Sequence, residues 1–337
     1  MKRCRVSKFK AIVIHQEGET FTRQVQEIDH SFLKEGDVTV KVEYSSLNYK
    51  DGMILKNGGK LVKDYPHIPG IDFSGTVTES SDANFKAGDK VILTGWRVGE
   101  IYYGGYAQYA KVKGKFLVKT PEGVSNKDAM ALGTAGFTAL LCAFAIQARE
   151  TILLGEPIKD VLVTGATGGV GSVAVMALAK MGYQVTAVTG KKDKVDFLKN
   201  LGAQHILDRS EIDVDSKPLE AALWDGVVDT TGGKILARAL AQTRPNGIVA
   251  ACGLASNYKL DTTVMPFIIR GVKLWGIDSV MCSAKRRQFV WSQVKNLIDF
   301  NQLNKVTEVW SLEDLVQSSS KILKGEISGR VIVDVNK

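Results

Sequence analysis

A short apolar run that breaks into three evenly spaced glycines constrains this chain more than any other feature. Residues 161–163 are Val-Leu-Val, and Gly165, Gly168 and Gly171 follow before an Ala/Val-rich segment. In a dinucleotide-binding loop, the first glycine permits a tight turn, the second lets the backbone approach a diphosphate, and the third lets a helix pack on the sheet. The spacing therefore predicts a strand, a phosphate-binding loop and a helix whose N-terminus attracts an anion.

Residues 183–189 predict a second strand and complete a βαβ unit of roughly 30 residues, the length that a nucleotide-binding unit requires. A glycine-rich turn without a ligand is the alternative, and the strands on both sides argue against it. The residues of the loop that we expect to contact the cofactor are Gly165, Thr167, Gly168, Gly169, Val170 and Gly171.

The end of the second strand indicates which dinucleotide binds. Proteins that select NAD place an acid about 20 residues beyond the loop, where it holds the ribose 2′-hydroxyl. Here Thr189, Gly190 and Lys191 are followed by Lys192, and the first acid is Asp193. We therefore expect NADPH, with Thr189, Gly190 and Lys191 as contacts. The alternative is a solvated helix start that Asp193 caps.

The length of 337 residues predicts two domains, because one core rarely serves more than roughly 250 to 300 residues. Short alternating runs predict strands and a β-rich domain in the first part, at residues 11–15, 38–44, 75–79, 90–94 and 106–112. Strands that alternate with helices in the second part predict an α/β fold with a doubly wound parallel sheet. The predicted boundaries are 1–130 with 301–337 for the β-rich domain, and 131–300 for the nucleotide-binding domain.

The composition favours an ordinary globular protein that binds small anions. The net charge is +8 and the isoelectric point is about 9.1, but no basic run is concentrated enough to predict specific nucleic-acid binding. Residues 129–148 carry no charge, yet glycines and threonines interrupt them, so we expect a buried helix and no membrane span. Four scattered cysteines and four histidines predict neither disulfides nor a metal site. A cytoplasmic location is expected.

Five further blocks carry a resemblance to a known family. With the glycine loop, the chain resembles the medium-chain dehydrogenase/reductase superfamily over essentially its whole length, and specifically the zinc-free quinone-oxidoreductase branch and its acrylyl-CoA reductase subfamily. The resemblance implies a Rossmann sheet plus a β-rich GroES-like catalytic domain, and a homodimer. The blocks are residues 48–52 (NYKDG), 69–72 (PGID), 94–96 (TGW), 133–139 (GTAGFTA) and 265–268 (MPFI).

Departures from the zinc-dependent members of this superfamily bear on the chemistry. Those members place a cysteine near the position of Asn48 and a Gly-His-Glu near residues 70–72, and this chain has neither. A catalytic zinc ion needs three protein ligands, so none is expected. The chemistry that remains is hydride delivery to an activated C=C bond or to a quinone.

The resemblance also implies individual residues. Tyr49 is the expected catalytic residue and a cofactor contact, as a phenol that orients the nicotinamide or substrate or donates a proton; a buried packing aromatic is the alternative. Further cofactor contacts are expected at Thr138, Arg209, Leu254, Ile268 and Ser279. The alternative is packing within a buried helix for Thr138, a solvated side chain for Arg209, and core packing for Leu254 and Ile268.

These observations predict an NADPH-dependent reductase of activated C=C bonds that converts acryloyl-CoA to propionyl-CoA. Quinone reduction at the same NADPH site is the first alternative, and a catalytically inert NADPH- and RNA-binding protein is the second. The cluster Lys285, Arg286 and Arg287 is either a contact for coenzyme A phosphates or an exposed basic turn.

Overall fold

A computed structural model of the protein describes residues 8–34, 36–152 and 157–337. The chain divides into two units. The first contains the described residues up to Thr134 together with Ser279–Ser292 and Leu303–Lys337, and the second contains Ala135–Asp278 and Gln293–Gln302. The boundaries predicted from the sequence place residues 279–292 with the nucleotide-binding part, whereas the structure groups them with the first unit.

Fifteen strands lie within the described ranges. They are β1 Lys8–Glu17, β2 Thr20–Asp29, β3 Val38–Ser46, β4 Asp72–Ser80, β5 Lys90–Thr94, β6 Tyr109–Val112, β7 Leu117–Lys119, β8 Asp160–Val163, β9 Gln184–Thr189, β10 His205–Asp208, β11 Trp224–Asp229, β12 Thr243–Ala251, β13 Lys273–Gly276, β14 Thr307–Trp310 and β15 Arg330–Asp334.

Eleven α-helices lie in the same ranges, with short 3-10 turns between some of them. They are α1 Tyr49–Asn57, α2 Asn126–Ile152, α3 Gly169–Lys180, α4 Val195–Asn200, α5 Arg209–Ile212, α6 Gly233–Ala241, α7 Met265–Arg270, α8 Ala284–Leu297, α9 Phe300–Lys305, α10 Leu312–Ser318 and α11 Ser320–Leu323.

The first unit is built on a seven-stranded sheet and a β1–β2 hairpin. The strand order is β14-β15-β3-β4-β5-β7, with β6 also paired to β3. Alternation along β3 buries Val38, Val40 and Val42 and leaves Lys41 exposed, as the two-residue repeat of a strand requires. The C-terminal strand β15 pairs antiparallel with β3, so residues from both ends of the first unit's sequence form one sheet.

The second unit is a six-stranded sheet with the order β10-β9-β8-β11-β12-β13. Every strand pair in it is parallel. This is the doubly wound order of dinucleotide-binding folds, in which ligands bind at the carboxyl ends of the strands. The predicted fold class, a Rossmann sheet plus a GroES-like domain, is confirmed.

Helix α2 contains the long uncharged segment and bends once. Gly133 interrupts it with φ 56° and ψ −158°, a conformation open essentially to glycine alone. The helix is long and apolar enough to cross a membrane by composition, but 89% of its most apolar 18-residue window is buried inside the protein. Burial in the fold therefore accounts for its apolar character.

Candidate functional site

The glycine loop between β8 and α3 has the geometry that its sequence predicts. Gly165 has φ +57°, and a Cβ there would lie 2.3 Å from Oγ1 of Thr230. At Gly171 a Cβ would lie 2.3 Å from the carbonyl oxygen of Gly165. A Cβ at Gly168 would meet only that same oxygen, at 3.3 Å. The fold itself therefore requires the first and third glycines, and the second leaves space on the outer side of the loop.

The N-terminus of α3 forms one side of this space. Gly168 is the N-cap, and no side chain caps the helix there. Gly168, Gly169 and Val170 are half-buried, whereas Thr167 is buried. The first N–H groups of a helix have no partner within the helix and carry the positive end of its dipole, so this terminus suits a phosphate group.

A buried polar network lies beneath the loop, and no sequence motif predicted it. Oγ1 of Thr164 donates to Oδ1 of Asp229 at 2.7 Å and accepts the N–H of Thr230 at 3.0 Å. Asp229 also accepts the hydroxyl of Thr231 and the N–H of Gly232. Burial raises the pKa of Asp229, although these hydrogen bonds oppose the shift. The polar cluster directly after β11 was the available sequence signal.

Cationic groups collect where β9 and β10 end. Thr189 pairs with Asp208 in the sheet, so Gly190 and Arg209, the residues that follow, are neighbours. A Cβ at Gly190 would lie 3.3 Å from Nε of Arg209. Oγ1 of Thr189 accepts the backbone N–H of Lys191 at 3.0 Å.

The charges around this strand end favour an anion. Partial burial, and then the charge of Lys194, lowers the pKa of Lys191. Asp193, the first acid, forms an ion pair with Lys194 at 3.3 Å. The acid is thus already paired within its own turn, and the strand end keeps its positive character.

The remaining predicted cofactor contacts have different environments. Leu254 is 60% exposed and Ile268 is 74% exposed, so core packing does not explain either residue. Thr138 is buried in α2. Ser279 is half-buried and belongs to the first unit.

Tyr49 is the first residue of α1 and is 42% exposed, so it is not a buried packing aromatic. No hydrogen bond joins its hydroxyl to another residue that the structure describes. It lines a cavity of about 430 Å³ together with Met53, Lys56 and Lys60. The phenol is therefore available to a ligand.

Asn48 and Asp51 fix the start of α1, directly beside Tyr49. Oδ2 of Asp51 accepts the backbone N–H of Asn48 at 2.9 Å and its side-chain amide at 3.1 Å, while Oδ1 accepts the N–H of Ile71 at 3.0 Å. Burial, and then the charge of Asp72, raises the pKa of Asp51 to about 7. Lys50, which faces away from Asp51, forms an ion pair with Glu100 at 2.7 Å.

Asp72 connects this network to the bend in α2. Its carboxylate accepts the N–H of Ser46 at 3.0 Å, the N–H of Thr134 at 2.8 Å and the amide of Asn48 at 3.0 Å. A Cβ at Gly133 would lie 2.8 Å from a guanidinium nitrogen of Arg330, the buried cation of the network. Because residue 133 is a glycine, the bend in α2 can lie this close to the buried cluster.

Arg287 corrects the interpretation of the basic cluster 285–287. It is 1% exposed, and its guanidinium donates to Oγ1 of Thr94 at 2.7 Å and to the carbonyl oxygen of Ser279 at 3.1 Å. It also lies 5.2 Å from the ring centroid of Trp96. The hypothesis that Arg287 contacts coenzyme A is therefore wrong. Two of its partners, Thr94 and Trp96, belong to the 94–96 block and attach the segment after β13 to the end of β5.

Among the residues that the structure describes, no three His, Cys, Asp or Glu side chains are grouped so that they could hold a metal ion. The side-chain amide of Asn48, in the 48–52 block, donates to Oδ2 of Asp72, in the 69–72 block, at 3.0 Å.

The sheet order and the glycine loop define a nucleotide-binding protein. Two family models match the chain: the alcohol dehydrogenase GroES-like domain over residues 34–122, and the zinc-binding dehydrogenase over residues 169–302. The protein belongs to the medium-chain dehydrogenase/reductase family, as the sequence blocks predicted.

Individual relatives match along nearly the full length. Acrylyl-CoA reductase AcuI of Ruegeria pomeroyi is 49% identical over 97% of this chain and 99% of its own. The crystal structure of the YhdH oxidoreductase from Salmonella enterica in complex with NADP has a TM-score of 0.93 at 46% identity, over 97% of this chain and 99% of that one. YhfP of Bacillus subtilis, which carries a quinone oxidoreductase name, is 42% identical over 96% of this chain and 98% of its own length.

A crystal structure of YhfP with NAD bound has a TM-score of 0.92 at 40% identity, over 98% of this chain and 100% of that one. The relatives thus include proteins crystallised with each form of the dinucleotide.

Proposed function

We propose that the protein is an NADPH-dependent reductase of activated C=C bonds, and that it converts acryloyl-CoA to propionyl-CoA. The observation that carries this proposal is the 49% identity to AcuI over 97% of the chain. The phosphate-binding loop and the cationic end of β9 supply groups that suit binding of the NADPH that such a reaction needs.

The residues of the second unit fit NADPH. The open side of Gly168 and the N-terminus of α3 suit the diphosphate, since a Cβ at Gly168 would extend into the space that a phosphate needs. Lys191 and Arg209, beside Gly190, suit the 2′-phosphate, because a guanidinium forks onto phosphate oxygens. Bound NADPH supplies a hydride for the β-carbon of the enoyl thioester.

The first unit supplies the group that completes the reduction. Once a hydride reaches the β-carbon, the electron pair of the C=C bond moves toward the thioester carbonyl, and the α-carbon takes a proton. The hydroxyl of Tyr49 bonds no residue that the structure describes, and the side chain lines a cavity. This hydroxyl is our candidate to hold and donate that proton. A proton from the solvent then restores the phenol, and the net reaction consumes the C=C bond, NADPH and that proton and forms the saturated thioester and NADP⁺.

The test is a set of NADPH oxidation rates measured with acryloyl-CoA, crotonyl-CoA and benzoquinone at equal concentrations. We expect kcat/KM to be highest for acryloyl-CoA. The quinone oxidoreductase name of YhfP supports the second candidate, quinone reduction. Faster turnover of benzoquinone than of both thioesters would favour that candidate, and no turnover with any acceptor would contradict both.

We also propose that the protein is a homodimer formed through β13. This strand lies at the end of the second sheet and exposes Leu274 and Trp275. An edge strand offers unpaired N–H and C=O groups, and a second copy related by a twofold axis offers the same groups in reverse. The variant Trp275→Lys should sediment as a monomer. Val214→Lys, at an exposed apolar residue between α5 and β11, is the control and should remain dimeric.

A cytoplasmic location completes the proposal. The four cysteines of the sequence are scattered, without the spacing of a disulfide framework, and this suits a reducing compartment, as does the use of NADPH. Cell fractionation of an epitope-fused chain tests it, and recovery outside the cytoplasmic fraction would contradict it.

A further inference from the structure

Two adjoining cavities of the first unit form one groove beside α1. Their volumes are about 430 Å³ and 340 Å³, and both are lined by Lys56 and Leu323. Tyr49, Met53 and Lys56 follow one another at spacings of four and three residues, so they share a helix face. The groove therefore leads from the proposed catalytic phenol along α1. We call it the α1 groove.

The close approach of α11 to α1 shapes this groove. A Cβ at Gly52 would lie 2.5 Å from Cγ2 of Ile322 and 3.2 Å from Cδ2 of Leu323. A glycine at this position lets the side chains of Ile322 and Leu323 pack close to α1, and Leu323 lines both cavities.

The groove carries positive charge that the protein does not neutralise. Its lining includes Arg23, Lys56, Lys60 and Lys324 and contains no acidic residue within the described part of the chain. Arg23 donates to the carbonyl oxygen of Leu55, but none of the three lysines forms an ion pair with a described residue. Like charges that share a concave surface raise the local potential and attract anions.

Lys60 has an unusual backbone for its residue type. Its φ is 58°, in the left-handed region that costs a side-chain-bearing residue about 1 kcal/mol. It follows Gly58 and Gly59, which also have positive φ. This turn carries the Lys60 side chain to the cavity wall that Tyr49 also lines.

We propose that the α1 groove binds the phosphate groups of coenzyme A while the acyl end of the thioester lies at Tyr49. This assignment rests on the proposed function and adds the site that selects a coenzyme A ester over a simple enone or quinone. Coenzyme A carries a diphosphate and a 3′-phosphate at the end of a flexible arm, far from its sulfur. Lysine ammonium groups meet such phosphates as point charges, and Lys56, Lys60 and Lys324 are three of them.

The experiment compares a full and a truncated substrate. Acryloyl-CoA carries the phosphates, whereas the acryloyl thioester of N-acetylcysteamine has the same reacting bond without them. We expect the double variant K56E/K60E to raise KM for acryloyl-CoA at least about tenfold. Its kcat, and its KM for the truncated thioester, should stay within about twofold of the parent values.

The control variant is Lys111→Glu, which reverses one exposed charge on β6 of the same unit. It should leave both Michaelis constants unchanged. An unchanged KM of K56E/K60E for acryloyl-CoA would overturn the assignment, and so would an equal rise of KM for both substrates. Thermal unfolding of the variant separates loss of the fold from loss of binding.

A binding measurement separates this inference from the proposed function. Adenosine 3′,5′-bisphosphate, which represents the nucleotide end of coenzyme A, should bind the parent protein. Its affinity for K56E/K60E should be at least about tenfold lower. If the parent protein reduced no enoyl thioester, the proposed function would fail. Equal binding of the bisphosphate by parent and variant would overturn the groove assignment on its own.

Discussion

The guanidinium of Arg209 lies against the backbone of Gly190, where an added Cβ would be 3.3 Å from Nε and 3.4 Å from Cζ. This contact places a planar cation at the end of β9, beside Lys191. A carboxylate, the group that favours NAD, is absent between Thr189 and Asp193 in the sequence.

We expect Arg209→Gln to raise KM for NADPH about tenfold, because a hydrogen bond to a charged group contributes roughly 1.5 to 3 kcal/mol. The KM for NADH should change less than about twofold, since NADH has no 2′-phosphate. Lys180→Gln, at the opposite end of α3 from the loop, serves as the control. Steady-state kinetics with both cofactors measures the effect, and equal losses for both cofactors would contradict it.

Gly168 and Gly171 should respond differently to alanine. At Gly171 the new Cβ would lie 2.3 Å from the carbonyl oxygen of Gly165 and 2.7 Å from Cα of Ala166, so Gly171→Ala should lose about 1 to 3 kcal/mol of unfolding free energy. At Gly168 the backbone φ is −78° and the nearest contact is 3.3 Å, so Gly168→Ala should keep most of the stability.

The two alanine variants therefore distinguish a structural glycine from a ligand-facing one. Urea unfolding should identify Gly171→Ala as the weaker fold. Fluorescence titration should show that Gly168→Ala binds NADPH at least about tenfold more weakly, because its methyl group would enter the diphosphate space. Parent-like NADPH affinity in Gly168→Ala would contradict this role.

The second sheet was predictable because its signals are local. In its first βαβ unit, from β8 to β9, the apolar runs, the turns and the glycine spacing all lie within about 30 residues of one another. In the first unit, β5 has the bounds that the sequence predicted, Lys90–Thr94. Strand β2 was missed, because only one of its ten residues is fully buried and its sequence is largely polar. A strand whose faces are both partly solvated leaves little apolar repeat to detect.

Much of the site depends on contacts that no local pattern contains. Arg330 donates to Oγ of Ser46 across 284 positions of sequence, and Arg287 donates to Oγ1 of Thr94 across 193. Next to Lys285 and Arg286, Arg287 has the sequence context of a surface residue. Its burial follows from tertiary partners, which only the structure reveals.

Tyr49→Phe tests the proposed proton donor. We expect kcat for acryloyl-CoA to fall on the order of a hundredfold, the effect of losing a positioned acid. The melting temperature should hardly change, since the lost hydroxyl bonds no described residue. Tyr102→Phe, at another exposed tyrosine of the same unit, is the control and should keep the parent kcat. A parent-like kcat for Tyr49→Phe would exclude proton donation by this residue.

Arg287→Met should destabilise the first unit. The substitution keeps the apolar stem but leaves Oγ1 of Thr94 and the carbonyl oxygens of Ser279 and Val280 without this donor. Each unsatisfied buried group costs roughly 1 to 3 kcal/mol, so the unfolding free energy should fall by about 3 kcal/mol or more.

The neighbouring variant Arg286→Met is the matched control, because Arg286 is exposed. Urea unfolding of both variants measures the difference. Equal free energies of unfolding for the two variants would show that the buried guanidinium of Arg287 does not stabilise the fold.

The carboxyl group of Asp51 should govern part of the pH dependence of stability. It is fully buried beside Asp72, with Arg330 and Tyr106 as the other ionisable neighbours. Its pKa is raised from 3.8 to about 7, so the folded protein holds a proton that the unfolded chain releases. The stability that this proton contributes is fully present below pH 3.8 and is lost as the pH rises to about 7.

Asp51→Asn removes this titration, because an amide does not ionise. Between pH 5 and 7 the unfolding free energy of the parent should fall relative to that of the variant by about 1.4 kcal/mol per pH unit, the linkage of one proton. Urea unfolding at pH 5, 6, 7 and 8 measures the difference. Asp261→Asn, at an exposed carboxylate, should follow the parent curve. Parallel curves for the parent and Asp51→Asn would mean that Asp51 is already ionised in the folded protein at pH 5, because its N–H donors then outweigh burial and the charge of Asp72.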